Sequence, residues 1–180
     1  MIFNYAEEIF KTAGYDLGDV LLNSVFTGLA ILIFTFVAIY TVDRLGRRIL
    51  MLVGAAGLAL TYILIGGLYQ AGVKGYPLLL LVETAISCYA FSLAPVTWVL
   101  LAEIFPNRIR GAAMSIGVFA LWAACFVLTY TFPLLNGYLG TAKTFWIYAG
   151  ICVAGFLFVL FRVPETKGKT LEQIEKELVD

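Results

Sequence analysis

Two short charged segments contain the side chains best able to do chemistry. The first, residues 43–48, reads DRLGRR and places Asp43 four residues before Arg47, with Gly46 between them. In this arrangement a carboxylate and a guanidinium can join two helix ends through charge-assisted hydrogen bonds. Such bonds can form in one conformation and break in another, which is how a gate operates. For Arg48, a simple anchoring role at a membrane surface is the better interpretation.

The second charged segment, residues 102–111, reads AEIFPNRIRG and also combines an acid with arginines. It follows a long uncharged stretch, so its acid stands at the boundary of that stretch. We expect the two segments to form one network, with the members Asp43, Arg47, Glu103 and either Arg108 or Arg110. The alternative is a set of separate, solvated surface charges, in which each pair contributes at most about 1 kcal/mol.

The composition excludes most enzymatic chemistry. The chain of 180 residues contains no histidine, so a Ser-His-Asp triad or a histidine-bound zinc site cannot be built. Cys88, Cys125 and Cys152 fall in apolar stretches without metal-ligand spacing, and we interpret them as packing residues. A net charge of zero argues against nucleic-acid binding. We therefore expect no catalytic residue, metal or cofactor, and a membrane enzyme remains a minor alternative.

Five long uncharged stretches of 23, 25, 19, 32 and 18 residues separate the charged segments. A helix needs roughly 20 apolar residues to cross the hydrocarbon core of a bilayer. These stretches are continuously apolar and do not alternate, which favours helices over strands. The sequence therefore predicts an all-α membrane protein with spans near Val20–Val42, Ile49–Tyr69, Tyr76–Ala102, Ala112–Leu135 and Thr144–Phe161.

The basic residues of the loops indicate how these spans are oriented. Lys11, Lys74 and Lys143 fall on one side of the membrane, and nine basic residues fall on the other. The nine are Arg44, Arg47, Arg48, Arg108, Arg110, Arg162, Lys167, Lys169 and Lys176. Because cytoplasmic loops carry the excess of Lys and Arg, the second side is predicted to be cytoplasmic. We expect a multi-pass protein of the plasma (inner) membrane with a cytoplasmic C-terminus.

The chain divides into three predicted segments. Residues 1–14 would form a helix of about 21 Å, which is too short to cross, and we interpret them as the truncated end of a membrane helix. Residues 15–163 form the five-span bundle. Residues 164–180 form a cytoplasmic tail, in which Thr170 and Gln173 make a capping-box pattern that predicts a short amphipathic helix.

Four residues within the predicted spans could line a cavity or bind a ligand. Pro95 permits a kink, and Trp98 follows one turn later as either an interfacial anchor or a cavity residue. Trp122 lies roughly 15 Å along its span, where its indole N–H needs a partner or a wet cavity. Glu83 is either a shallow acid that snorkels to the surface, which we favour, or an intramembrane functional site.

Four sequence segments together resemble the sugar porter family of the major facilitator superfamily. They are DRLGRR at residues 43–48, PVTW at 95–98, EIFPNRIRG at 103–111 and PETKG at 164–168. The resemblance covers the whole chain but about half of such a transporter. It implies the C-terminal six-helix bundle of a major facilitator fold, with its first helix truncated, and a sugar bound between the two halves near the membrane midplane.

The resemblance also implies roles for individual residues. The implied substrate-binding residues are Phe3, Asn4, Tyr5, Trp98, Leu121, Trp122 and Cys125. The implied gating charge network, which favours the outward-open state, consists of Asp43, Arg44, Arg47, Glu103, Arg108, Arg110 and Glu165. Leu121 and Cys125 stand where family members often have side-chain amides, and Ala94 stands where they often have glycine. A carrier for a non-sugar solute therefore remains an alternative.

The expected function is that of the C-terminal half of a secondary transporter, which moves a sugar, such as a monosaccharide, by alternating access. Its expected partners are the sugar, the lipid bilayer and a missing N-terminal half, and we expect no transport by this chain alone. A non-transporting membrane subunit or truncation product is the alternative. The acid that couples protons in some family members belongs to the first helix, outside this chain, so symport and facilitation both stay open.

Overall fold

A computed structural model describes residues 17–73, 75–105 and 109–168, and this part of the chain is helical throughout, without a strand. The helices are α1 Leu17–Leu45, α2 Arg47–Gln70, α3 Tyr76–Phe91, α4 Leu93–Ile104, α5 Arg110–Leu139 and α6 Thr141–Arg162. The predicted all-α fold class is confirmed. The predictions for segment 1–14, for Phe3, Asn4, Tyr5 and Arg108, and for the tail helix concern residues outside the described ranges.

Five segments in the described part are long and apolar enough to cross a membrane, and they match the five predicted spans. They are Ser24–Leu45, Arg47–Gln70, Tyr76–Ile104, Arg110–Leu139 and Thr141–Arg162. Most helices run a few residues beyond the predicted limits, because a helix ends at a backbone break and not at the last apolar residue. Two such breaks are Gly46 and Gly140, with φ angles of 97° and 81° that glycine adopts without steric cost.

The third span is broken at Ser92, three residues before the proline that the sequence singled out. Pro95 has no N–H to donate to the carbonyl of Phe91, and its ring would clash with that carbonyl. The helix therefore stops at Phe91 and restarts at Leu93, so that Pro95 stands in the first turn of α4, where a missing N–H is tolerated. The predicted interruption exists, but its position is displaced toward the N-terminus.

Helix α2 forms the centre of the bundle and packs against α6, α3 and α4. The largest group of buried side chains joins α2, α3, α5 and α6, with Ile65, Val82, Phe132 and Phe145 among its members. Glycines let other helices approach α2 closely. A Cβ atom on Gly54 would lie 1.6 Å from the hydroxyl oxygen of the fully buried Ser92. The break between α3 and α4 is thus in direct contact with the α2 backbone.

This contact predicts that Gly54→Ala destabilises the bundle by about 1–3 kcal/mol, the usual range for an overpacked core. The matched control is Gly67→Ala in the same helix, where an added Cβ meets nothing within 4 Å and alanine improves helix propensity. Thermal unfolding in detergent would compare the two variants, and Ser92→Gly should restore the stability of Gly54→Ala. Equal stability of the two single variants would show that α2 and Ser92 are not in contact.

Helix α5 lies at the edge of the bundle and presents most of its side chains outward. Phe132 is its single buried residue, although the helix has 30 residues. A row of large apolar side chains on α5 is exposed, comprising Ile116, Phe119, Trp122, Phe126, Tyr130, Leu134 and Tyr138. This exposed surface places Trp122 where another membrane component can reach it.

Candidate functional site: a charged end and an aromatic wall

The arginine of the first charged segment joins two helices at one end of the bundle. Nη2 of Arg47 lies 3.0 Å from Oδ1 of Asp43 and 2.9 Å from Oε1 of Glu103. The side chains of Arg47 and Glu103 are 14% and 24% exposed, whereas that of Asp43 is 74% exposed. The partly buried pair with Glu103 therefore contributes more than the solvated pair with Asp43. We call this region, defined by Asp43, Arg47, Glu103 and Glu165, the charged end.

Glu165 caps the first turn of α2. Its Oε1 accepts a hydrogen bond from the backbone N of Arg47 at 2.9 Å, and its Oε2 accepts one from the backbone N of Arg48 at 3.2 Å. The first N–H groups of a helix have no partner within the helix, and the helix dipole favours an anion there. A Cβ on Gly46 would lie 2.7 Å from Oε2 of Glu165, so the carboxylate needs glycine at this position. Glu165 thereby fastens the segment after α6 to the start of α2.

Two further residues of the 163–168 segment complete the charged end. The buried hydroxyl of Thr166 donates to Oε2 of Glu103 at 2.6 Å, and Nζ of Lys167 donates to the carbonyl oxygen of Arg44. Both carboxylate oxygens of Glu103 are therefore occupied. The sequence analysis counted Lys167 only among the basic residues of the cytoplasmic side and assigned no role to Thr166, although both stand within the PETKG segment that carried the resemblance.

The other arginines of the two charged segments differ in their contacts. The guanidinium of Arg44 lies 4.3 Å from the ring centre of Tyr40, a cation–π contact. Nη2 of Arg48 donates to the carbonyl of Leu160 in the last turn of α6, so Arg48 joins two helices and is more than an anchor. Nε of Arg110 donates to the carbonyl of Phe105 at 3.3 Å. In the described residues Arg110 makes no ion pair, so its predicted pairing with the acids is not observed.

The described candidate substrate-binding residues lie on α4 and α5, which pack against each other. Trp98 on α4 is 45% exposed and Trp122 on α5 is 61% exposed. Leu121 and Cys125 are partly buried and stand one turn apart on α5. The exposed Tyr89 of α3 lies near Cys125, a neighbour that the sequence analysis missed. We call these five residues the aromatic wall.

Trp146 behaves differently from the tryptophans of the aromatic wall. Its Nε1 donates to the carbonyl of Ile63 at 3.3 Å, and its indole lies against Gly66, where an added Cβ would approach Nε1 to 2.4 Å. The side chain of Trp146 therefore packs between α2 and α6.

The five helices of membrane length in the described part of the chain indicate a polytopic membrane protein. The family model described as sugar (and other) transporter matches residues 1–178. The D-xylose-proton symporter of Escherichia coli strain K12 is 39% identical over 181 residues, covering 97% of this chain and 37% of the relative. The arabinose-proton symporter of Bacillus subtilis strain 168 is 37% identical over 173 residues, covering 96% of this chain and 37% of the relative.

Solved structures agree with the sequence comparisons. The proton:xylose symporter XylE bound to 6-bromo-6-deoxy-D-glucose superimposes with a TM-score of 0.89 at 40% identity, covering 98% of this chain and 38% of that chain. The inward open conformation of XylE from E. coli gives a TM-score of 0.82 at 37% identity. The chain therefore belongs to the sugar transporter family of the major facilitator superfamily, as the resemblance predicted. It spans about two fifths of the length of these relatives.

Proposed function

We propose that this chain forms the C-terminal half of a secondary transporter that moves a sugar across the membrane by alternating access. The observation that carries the proposal is the family match, which extends over residues 1–178 and includes relatives named as xylose and arabinose symporters. The transported sugar would leave chemically unchanged, so the process requires no catalytic residue and no covalent step.

In this proposal the aromatic wall forms one side of the sugar cavity. The indole rings of Trp98 and Trp122 are exposed and can stack on the apolar C–H face of a sugar ring. Leu121 and Cys125 contribute apolar surface and a weak thiol, whereas sugar hydroxyls require strong hydrogen-bond partners. Phe3, Asn4 and Tyr5 would complete the outer gate, as the resemblance implies.

The charged end is proposed to act as the inner gate. Its hydrogen bonds join α1, α2, α4 and the 163–168 segment in the conformation described above. In alternating access these bonds would weaken as the protein opens inward, because the helices that carry them move apart. The basic side chains at this end favour a cytoplasmic location, and the C-terminus would lie on the same side of the plasma membrane.

The exposed surfaces favour an additional half that covers this bundle. The outward side chains of α5 would otherwise face lipid, including the indole N–H of Trp122, which needs a polar partner. A cavity between two halves would cover the exposed aromatic side chains and would give the indole N–H of Trp122 a polar environment. We therefore expect that the chain alone does not transport, and that the complete native polypeptide does.

One observation favours a second candidate, a carrier for a non-sugar solute. The apolar Leu121 and the thiol of Cys125 provide fewer hydrogen bonds than a sugar site usually offers. The substrate panel should therefore include pentoses, hexoses, disaccharides, cyclic polyols and amino acids. Uptake of amino acids alone would mean that the transported solute is not a sugar. The proposed transport cycle would stay the same.

The proposal predicts how uptake responds to the wall residues. Liposomes containing the complete native polypeptide should accumulate or equilibrate a labelled sugar, and liposomes containing this chain alone should not. Trp98→Ala and Trp122→Ala should each weaken sugar binding by roughly twofold to tenfold, since one aromatic stacking contact contributes roughly 0.5–1.5 kcal/mol beyond area burial. Phe158→Ala, at an exposed aromatic residue of α6, is the matched control and should transport normally. Loss of binding in the control alone would contradict the proposed wall.

A further inference from the structure

Glu83 is a carboxylic acid inside a membrane-length helix that contacts a neighbouring helix. The hydroxyl of Thr27 on α1 donates to Oε1 of Glu83 on α3. Thr27 is 3% exposed and Glu83 is partly buried. The sequence analysis favoured a shallow acid that snorkels to the surface. In the structure the side chain of Glu83 instead turns sideways to a buried partner on another helix.

The position of the pair along the bundle is defined by its two helices. At about 1.5 Å per residue, Glu83 lies roughly 10 Å from the first residue of α3, and Thr27 lies roughly 15 Å from the first residue of α1. Both helices begin at the end of the bundle opposite the charged end. The pair is therefore inside the span, in the half of the bundle that opens away from the charged end.

Few charged groups of the described residues face this pair. On the helices packed against α3, every charged residue except Asp19, in the first turn of α1, lies at the charged end. These residues are Asp43 and Arg44 on α1, Arg47 and Arg48 on α2, and Glu103 on α4. The other titratable groups of these helices are phenols and thiols, which include Tyr62 and Tyr69 on α2 and Tyr76, Cys88 and Tyr89 on α3. Lys143 on α6 is exposed. None of the ion pairs between described residues involves Glu83.

A carboxylate without a cationic partner is costly inside a membrane, whereas a neutral carboxylic acid is tolerated. One hydroxyl group satisfies one lone pair of a group that can accept about four hydrogen bonds when ionised. Glu83 is therefore placed to exchange a proton with water rather than to hold a permanent charge. An interhelical hydrogen bond that merely joins α1 to α3 is the simpler alternative, and it makes different predictions.

We propose that Glu83 is a proton-binding site that couples proton movement to solute movement, and that Thr27 positions its carboxyl group. This inference rests on the proposed transport function. A proton from the aqueous phase opposite the charged end forms an O–H bond with Oε2, while Thr27 donates to Oε1. The neutral side chain then allows α1 and α3 to move relative to each other. Release of the proton to the other aqueous phase regenerates the carboxylate.

The test compares driven accumulation with exchange in liposomes that contain the complete native polypeptide. With one proton per sugar, a gradient of one pH unit, acidic on the outer side, supports about tenfold accumulation. Glu83→Gln should abolish this accumulation, because glutamine cannot release a proton. Exchange of labelled for unlabelled sugar needs no net proton movement, so Glu83→Gln should retain it within about twofold, an effect below 0.5 kcal/mol.

The hydrogen-bond partner provides the second set of variants. Thr27→Val removes the donor and should reduce driven accumulation, while Thr27→Ser should restore it. Thr84→Val is the matched control, since the exposed hydroxyl of Thr84 bonds to the carbonyl of Leu80 in its own helix. Equal loss of accumulation and exchange in Glu83→Gln and Thr27→Val would show a structural role and overturn the proposal. Full accumulation by Glu83→Gln would also overturn it.

A spectroscopic measurement separates this inference from the proposed function. Infrared difference spectra of the protein in lipid, recorded from acidic to alkaline pH, should contain a protonated carboxyl band that Glu83→Gln lacks and Thr84→Val retains. If the wild-type protein neither exchanges nor accumulates sugar, the proposed function is wrong, while this band still shows whether Glu83 takes up a proton. Absence of a titrating band from Glu83 would overturn the proton site even in an active sugar transporter.

Discussion

Gly46→Ala is expected to release the 163–168 segment from α2 and to lower the free energy of unfolding by roughly 2–4 kcal/mol. Two effects add at this residue. Its φ angle of 97° lies in the left-handed region that costs an alanine about 1–2 kcal/mol. The new Cβ would also lie 2.7 Å from Oε2 of Glu165 and would displace the carboxylate that caps α2. The melting temperature in detergent measures the combined loss.

The chain offers a control that isolates the second effect. Gly72 has a φ angle of 69°, and a Cβ there would meet nothing within 4 Å. Gly72→Ala should therefore show the backbone cost alone, and the difference between the two variants should report the displaced cap. If Glu165 is first replaced by alanine, Gly46→Ala should cost no more than Gly72→Ala. An unchanged difference in the Glu165→Ala background would mean that Glu165 is not the group that Gly46 accommodates.

The location of the five spans could be predicted from sequence because a single physical length, the thickness of the hydrocarbon core, determines them. Their boundaries were less predictable, since charged residues such as Arg110 and Arg162 continue a helix beyond the apolar stretch. The break at Ser92 shows the same limit. Sequence indicated a proline effect, but the exact residue depends on how Ser92 fits against Gly54 of another helix.

The interactions at the charged end were also predicted only in part. The pair of Asp43 and Arg47 follows from their spacing of four residues, which places both on one face at the helix junction. The role of Glu165 was expected as a charge interaction, whereas its partners are two backbone N–H groups. Backbone donors at a helix start are invisible in a count of charges. Thr166 was missed because a neutral hydroxyl gives no charge signal, although it occupies the second oxygen of Glu103.

Residue pairs that are distant in the chain and form no ion pair were not predictable from one sequence. The Thr27–Glu83 hydrogen bond joins α1 to α3, and sequence alone showed an acid near the end of a span. Tyr89 of α3 and Cys125 of α5 become neighbours only through the packing of the bundle, which a single sequence does not show. The resemblance indicated the other residues of the aromatic wall, and Tyr89 was added only once the packing was known.

The second large effect is expected at Glu103. Glu103→Gln should destabilise the charged end by about 1–3 kcal/mol, which is below the 3–5 kcal/mol of a fully buried pair because Glu103 is partly exposed. A neutral amide oxygen can accept from either Arg47 or Thr166, so one donor loses its partner. Arg47 then has a carboxylate partner only in the solvated Asp43. Since about 1.4 kcal/mol is tenfold in an equilibrium, the state in which the charged end is open should gain population by roughly tenfold to a hundredfold.

Two measurements distinguish a gate from a collection of surface charges. A cysteine introduced at the exposed Ile109 should react faster with a membrane-impermeant reagent in Glu103→Gln if the charged end opens. Asp43→Asn is the matched control, because its 74% exposed side chain should contribute well below 1 kcal/mol. In a double-mutant cycle, Arg47→Gln and Glu103→Gln should cost less together than the sum of their separate effects. Additive effects, or equal labelling in Asp43→Asn and Glu103→Gln, would favour the separate, solvated charges that the sequence left as the alternative.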